Sequence, residues 1–205
     1  LKHPGKYLAE VIDQPVSSLD EHPTIEQIAA QSSAVAAING GYFLPNFSPA
    51  GLFILAGNEV SPLSKQASLS GILSISSQGE ISLLSRNAST NKSLFAIQAG
   101  PFLIDPGGNL GIKAPGAENR RTVIGTTVSK KVFLVNTSPV SLFDLAYLLK
   151  SKPSAFGLSK VDRALNLDGG PSSAMFIQLS SIELTIKEKL PVRNFLVIRH
   201  KKIKP

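Results

Sequence analysis

Short apolar stretches alternate along this chain with clusters of Gly, Pro, Asn and Ser. Segments 34–38 (AVAAI), 51–57 (GLFILAG), 71–76, 80–85, 94–100, 122–128, 131–137, 164–167, 173–179, 182–187 and 194–199 either alternate apolar with polar residues or are apolar throughout. That is the pattern of strands separated by turns. SSQGE (76–80) and VSKK (128–131) read as hairpin turns. Two stretches carry helical spacing instead. TIEQIAAQS opens with Thr24 and has Gln27 three residues on, the signature of a capping box. SLFDLAYLLKS places Leu142, Leu145, Ala146 and Leu149 on one face, with Ser141 as its N-cap. About eleven strands and two helices predict an α+β fold: one domain, residues 1–205, on a large mixed or antiparallel β-sheet with a few helices.

Composition narrows the classes. At 205 residues and 42% hydrophobic, the chain can bury a core without disulfide or metal staples. It has no cysteine, which excludes disulfides, thiolate metal sites and cysteine nucleophiles. No apolar run is long enough for a transmembrane helix. The opening LKHPGKY has neither Met nor a signal-like apolar segment, so a removed export signal stays compatible with it. The net charge is +7, and the tail 199–205 (RHKKIKP) holds Arg199, Lys201, Lys202 and Lys204. That tail is either a solvated terminus or a contact for an anionic surface. Nucleic acid is a poor partner, since there is no Trp and no basic run interleaved with aromatics.

Two loops raise the question of chemistry. RALNLDGGPSSAMFIQ (163–178) sets Asp168 between an apolar run and two glycines, and AVAAINGGYF (34–43) does the same with Asn39. Asp-Gly and Asn-Gly are hairpin turn signals. Both loops are nevertheless longer than a tight hairpin needs. Gly169 and Gly170 can turn N–H groups toward an anion, with the Ser172 and Ser173 hydroxyls beside them. A carboxylate at the end of an apolar strand is partly desolvated, which readies it for acid–base or metal work. The Asn39 loop mixes glycines with Tyr42, Phe43 and Phe47, as a pocket lining would. ENRRTVIG (118–125) is either a solvated loop with Glu118 paired internally or an arginine fork for an anion, through Arg120 and Arg121. IQAGPFLI (97–104) interrupts a strand at Gln98, Gly100 and Pro101, which marks a bend or a backbone approach to a sugar. His3, His22 and His200 show no ligand or triad spacing, and G-x-S-x-G, H-E-x-x-H and P-loop motifs are absent.

NGGYF, QAGPFLI, RRTVIG and LNLDGGPSS occur in that order, and the set resembles the phosphodiester glycosidase family. The helix SLFDLAYLLKS and the closing LPVRNFLVI look like the family too, so the likeness spans roughly 24–198. It implies that Asn39, Gly40, Gly41, Gln98, Gly100, Pro101, Arg121, Thr122, Asn166, Asp168, Gly169, Gly170, Ser172 and Ser173 gather in one surface cavity. Leu44 and Pro171 depart from the family pattern, at positions where relatives often have Asp and Gly.

The resemblance implies cleavage of a sugar, N-acetylglucosamine-like, from a sugar-1-phosphodiester at the anomeric carbon. A phosphomonoester needs little protonation to leave; it needs cationic and N–H stabilisation, which Arg121 and the Gly-Gly amides supply. Asp168 is then base, nucleophile or holder of a divalent cation, with no cofactor otherwise required. Asn39 joins Asp168 and Arg121 as a catalytic candidate, and the remaining residues bind substrate. Two other readings stay open: a non-catalytic envelope glycan or phosphopolymer binder, and a two-carboxylate glycoside hydrolase pairing Asp168 with Glu118. By the same resemblance the location is extracytoplasmic, periplasmic or in the cell envelope.

Overall fold

The computed structural model describes residues 6–15, 22–179 and 182–201. In chain order the elements are β1 (Tyr7–Asp13), α1 (Ile25–Ser32), β2 (Ala34–Asn39), β3 (Phe53–Leu55), β4 (Asn58–Ser61), β5 (Gly71–Ser76), β6 (Ile81–Ser85) and β7 (Ser93–Ala99). There follow β8 (Phe102–Asp105), β9 (Asn109–Leu110), β10 (Thr122–Thr127), β11 (Val132–Asn136), α2 (Leu142–Ser151), β12 (Val161–Asn166), β13 (Met175–Leu179), β14 (Ile182–Ile186) and β15 (Asn194–His200). The strands form three five-stranded sheets, ordered β1-β15-β2-β13-β14, β11-β10-β12-β8-β9 and β4-β3-β7-β5-β6. The pairings are antiparallel. The fold is therefore α+β as expected, with three antiparallel sheets in place of one large sheet.

Each sheet turns one face to a shared core. Val11, Ile38 and Leu196 come from the first sheet, Ile124 and Leu165 from the second, and Phe53, Leu73 and Ile97 from the third. Two sheets are covered on the outside as well. Ile25, Ile28 and Ala29 of α1 pack on Ala37, Phe195 and Val197, while Leu145, Ala146 and Leu149 of α2 pack on Val123, Phe133 and Ala164. Double coverage explains why 195–198 is apolar at consecutive positions: Leu196 faces the common core and Phe195 and Val197 face α1.

Both helices start as their sequences predict. The Thr24 hydroxyl accepts from the Gln27 N–H, and the Gln27 side chain accepts from the Thr24 N–H. The Ser141 hydroxyl accepts from the Asp144 N–H at 3.1 Å. Four strands were not foreseen. β1 mixes charged with apolar residues, β4 is polar and exposed, β8 begins immediately after Pro101, and β9 has two residues.

The basic tail also changes character. Arg199 and His200 belong to β15, paired with β1, and Arg199 is bonded to Glu10 at 2.8 Å. They are strand residues, not part of a frayed terminus. His3, Lys202 and Lys204 lie outside the described residues.

A buried ion pair locks the loop after β2 to this sheet. The Arg193 guanidinium grips Asp13 with two nitrogens, and its third nitrogen donates to the Phe47 carbonyl. Both partners are less than a tenth exposed. Asp13→Ala leaves that guanidinium buried and uncompensated. It should cost roughly 3–5 kcal/mol, read as a lower urea midpoint at unchanged m-value.

Candidate active site around Asp168

Neither glycine-rich loop is a hairpin turn. β12 lies in the second sheet and β13 in the first, so Leu167–Ala174 carries the chain from one sheet to the other. Gly170–Ser172 form a single 3-10 turn within it, and Gly170 sits at φ 59°, a conformation that favours glycine. Asn39 ends β2 beside this crossing.

The Asn39 amide is fully buried and makes three hydrogen bonds. Its Nδ2 donates to the Asp168 carbonyl at 2.7 Å. Its Oδ1 accepts from the Thr122 hydroxyl at 2.7 Å and from the Ala174 N–H at 3.0 Å. The Asp168 N–H donates to the Gly40 carbonyl at 3.1 Å, so the loops are bound in both directions. Gly40 and Gly41 serve close approach: a Cβ on Gly40 would fall 1.9 Å from Asn194 Oδ1, and one on Gly41 2.3 Å from Ile97 Cγ2.

A second polar group joins the third sheet to this junction. The Tyr42 hydroxyl donates to the Gly100 carbonyl at 2.8 Å and accepts from Asn166 Nδ2. Asn166 Nδ2 also donates to Leu167 O, at 2.8 Å, while its Oδ1 is buried with no partner among the described residues. Gln98, two residues before the cis Gly100–Pro101 peptide, spends its amide on structure. It accepts from the N–H groups of Leu52 and Ser64 and donates to the carbonyls of Ser64 and Leu69.

Tyr42 feels two opposite charges. Its phenol is pushed up above the ordinary tyrosine range, first by burial and then by Asp168, with Asn166 and Arg121 pulling the other way. It therefore stays protonated. Asp168 is only partly exposed, and burial pushes its carboxyl up against hydrogen bonds from Ser172 and from the Gly169 N–H, the latter at 2.8 Å.

The two arginines part company. Arg120 donates to the carbonyls of Ser173 and Lys187, and its own carbonyl accepts from the Gly170 N–H. It thus clamps the Asp168 loop. Arg121 Nε donates to Val140 O at 3.0 Å and Nη2 to Ala117 O. Main-chain carbonyls hold this guanidinium, and no carboxylate among the described residues forms an ion pair with it. Arg121 also lies at the loop, since a Cβ on Gly169 would stand 4.0 Å from its Cδ.

The residues singled out from sequence thus fall into two groups. Asp168, Gly169, Gly170 and Arg121 are partly exposed and form the accessible surface. Asn39, Gln98, Thr122, Asn166, Ser172 and Ser173 are buried behind them, as are Gly40, Gly41 and Gly100. Tyr42 belongs with the first group by position and electrostatics. Its place two residues after Asn-Gly was the only signal of this in the sequence. Among the described residues no three His, Asp or Glu stand together as a metal group. A lone Asp168 does not supply the oxygen-rich shell that Mg²⁺ or Ca²⁺ takes.

Comparison with known proteins agrees with this architecture. The chain belongs to the phosphodiester glycosidase family, whose model matches residues 32–199. Its fold is similar to the catalytic domain of zebrafish N-acetylglucosamine-1-phosphodiester α-N-acetylglucosaminidase, a structure auto-inhibited by its pro-peptide. There the TM-score is 0.64 at 19% identity, covering 95% of this chain and 73% of that one. A hypothetical protein from Synechocystis also has TM-score 0.64, at 16% identity over 94% of this chain and 56% of its own. A Burkholderia pseudomallei protein whose name marks it as inferred to be exported has TM-score 0.56, at 13% identity over 94% and 71%. No curated protein sequence matches the chain.

Two outcomes follow. Asn39→Ala strands the Ala174 N–H and the Asp168 carbonyl and takes away the acceptor of the Thr122 hydroxyl, and should cost roughly 3 kcal/mol or more in chemical denaturation. Asp168→Asn acts in the other direction. Because burial raises the folded-state pKa, the ionised carboxylate is a cost at neutral pH that disappears once it is protonated. The variant should melt above wild type at pH 7, and the two curves should converge as pH falls below the ordinary value of 3.8. Equal melting temperatures at pH 7 would show Asp168 to be fully hydrated.

Proposed function

We propose that this chain hydrolyses a sugar-1-phosphodiester at the anomeric carbon, releasing a phosphomonoester, with an N-acetylglucosamine-like sugar as the glycosyl group. The observation that carries this reading is a partly desolvated Asp168 together with an Arg121 held by main-chain carbonyls, both beside Tyr42. Breaking the bond from C1 to the phosphate oxygen leaves the electron pair on phosphate. That needs a fixed cation more than a proton donor. Arg121 uses two of its nitrogens on main-chain carbonyls, which leaves its other N–H groups for the departing oxygens.

Asp168 acts at the carbon, as nucleophile or as the base that takes a proton from attacking water. Its raised pKa suits either role, because a carboxylate held near a neutral environment is more basic than one in water. The Gly169 N–H is spent on the Asp168 carboxylate and the Gly170 N–H on the Arg120 carbonyl, so the anion falls to Arg121 and not to the Gly-Gly amides, with the neutral Tyr42 beside both charges. Asn39 is a positioning residue that acts through the Asp168 main chain. Family membership and the likeness to the zebrafish glycosidase support the reaction class. The similarity to a protein inferred to be exported supports an extracytoplasmic location.

Turnover of an N-acetylglucosamine-1-phosphodiester tests this. Asp168→Asn and Arg121→Ala should each lower kcat by about 100-fold or more, while Glu118→Gln stays within about twofold of wild type. A large loss from Glu118→Gln would point to the two-carboxylate hydrolase. Saturable binding by wild type without product release would make the chain a glycan-binding module.

A further inference from the structure

The end of the molecule opposite Asp168 carries a different surface. Three elements run from the candidate site to that end. β10 starts at Thr122, bonded to Asn39, and finishes at Thr127, roughly 17 Å away at strand rise. β12 runs back antiparallel from Val161 to Asn166. α2 starts beside Val140, whose carbonyl holds Arg121, and ends at Ser151, followed by Lys152.

The two connections at the far end form one surface. Val128 N–H donates to Lys160 O at 2.9 Å, and the Ser129 and Ser159 hydroxyls are 3.2 Å apart. A 3-10 turn, Pro153–Phe156, follows directly on α2 and packs against it. Segments 128–131 and 150–160 carry Lys130, Lys131, Lys150, Lys152 and Lys160 and no Asp or Glu. All five lysines are exposed. The nearby Asp162 is already held by Arg163 at 2.8 Å. Among these cations project Val128 at 57% exposure, Tyr147 at 53%, Phe156 at 42% and Leu148 at 37%. Tyr147 and Leu148 lie on the outward side of α2, away from its buried Leu145, Ala146 and Leu149.

We propose that this face docks on an anionic lipid bilayer. Lysines around exposed aromatic and aliphatic tips match a membrane interface: the ammonium groups meet headgroup phosphates while Tyr147, Leu148 and Phe156 enter the boundary below. A soluble polyanion would use the lysines alone and leave the apolar tips without a role. The orientation is productive, since docking by this end points the Asp168 loop outward. The inference is independent of the reaction assigned to that loop.

Co-sedimentation of the full chain with phosphatidylglycerol-containing vesicles, against pure phosphatidylcholine vesicles, tests it. Wild type should bind the anionic vesicles and be released by salt. Charge reversal at Lys150→Glu, Lys152→Glu and Lys160→Glu together should weaken binding roughly a hundredfold. Tyr147→Ser with Phe156→Ser should weaken it about tenfold. These positions are exposed, so unchanged melting curves confirm that each variant folds. Three results would overturn the proposal: no anionic-vesicle binding by wild type, binding abolished by removing residues 201–205 alone, or vesicle binding indifferent to the Tyr147 and Phe156 changes while soluble polyphosphate competes fully.

Discussion

The arrangement of this molecule around its candidate site depends on one buried side-chain amide. Asn39 sits at the end of β2 in the first sheet and holds Thr122 at the start of β10 in the second. The same amide holds the main chain at Asp168 and at Ala174, the two ends of the segment that crosses between these sheets. Strand ladders satisfy polar groups within each sheet, but at a junction the crossing backbone leaves its ladder. Buried without partners, those groups would each be costly. Two of them, with the Thr122 hydroxyl beside them, are met by a single amide, and the position of the Asp168 loop is a consequence.

The third sheet is tied in by the same means. Gly100 follows β7 directly, and its carbonyl accepts from Tyr42 and from Asn166, the last residue of β12. Behind it Gln98 has used both amide atoms on the 52–69 connection. All three sheets therefore meet around the Asp168 carboxylate, which explains how one loop is at once fixed in place and partly open to solvent. The electrostatics follow from that packing. Burial raises Asp168, and Arg121 is anchored by neutral carbonyls. Outside the junction the protein behaves differently: Asp13–Arg193 and Glu10–Arg199 pair their charges directly, on the strand edges where the aim is to hold the sheet together.

Much of this was legible in the sequence wherever a local pattern carries it. Both helix starts were visible because a cap is a contact between residues three apart, and the long central strands were visible because their apolar runs are fixed by the core they enter. β1 and β4 escaped because an edge strand needs only one buried face and β4 has almost none. The division into three sheets was not legible, since it depends on which strand crosses where. Asn-Gly-Gly and Asp-Gly-Gly stood out as unusual turns, yet the sequence alone left open whether they were hairpins. Gln98 shows the limit from the other side: an amide beside a Gly-Pro bend reads equally as ligand contact or as loop clamp. Its four hydrogen bonds reach three residues that lie 29 to 46 positions away, beyond any local signal.

The two similar motifs end in different residues because the two positions need different chemistry. Asn39 must donate one hydrogen bond and accept two, at full burial. A carboxylate could accept from Thr122 and Ala174, but it could not donate to the Asp168 carbonyl, and its charge would have no partner there. Asp168 has the opposite requirement. Its side chain receives the Gly169 N–H and a bond from Ser172, and the rest of its carboxylate is unspent at the surface. Exchanging the two residues would therefore undo both arrangements at once: a buried, unpaired anion in the frame and a neutral amide in place of the proposed base or nucleophile. The frame residue cannot titrate and the surface residue can, and that difference separates two loops that look alike in sequence.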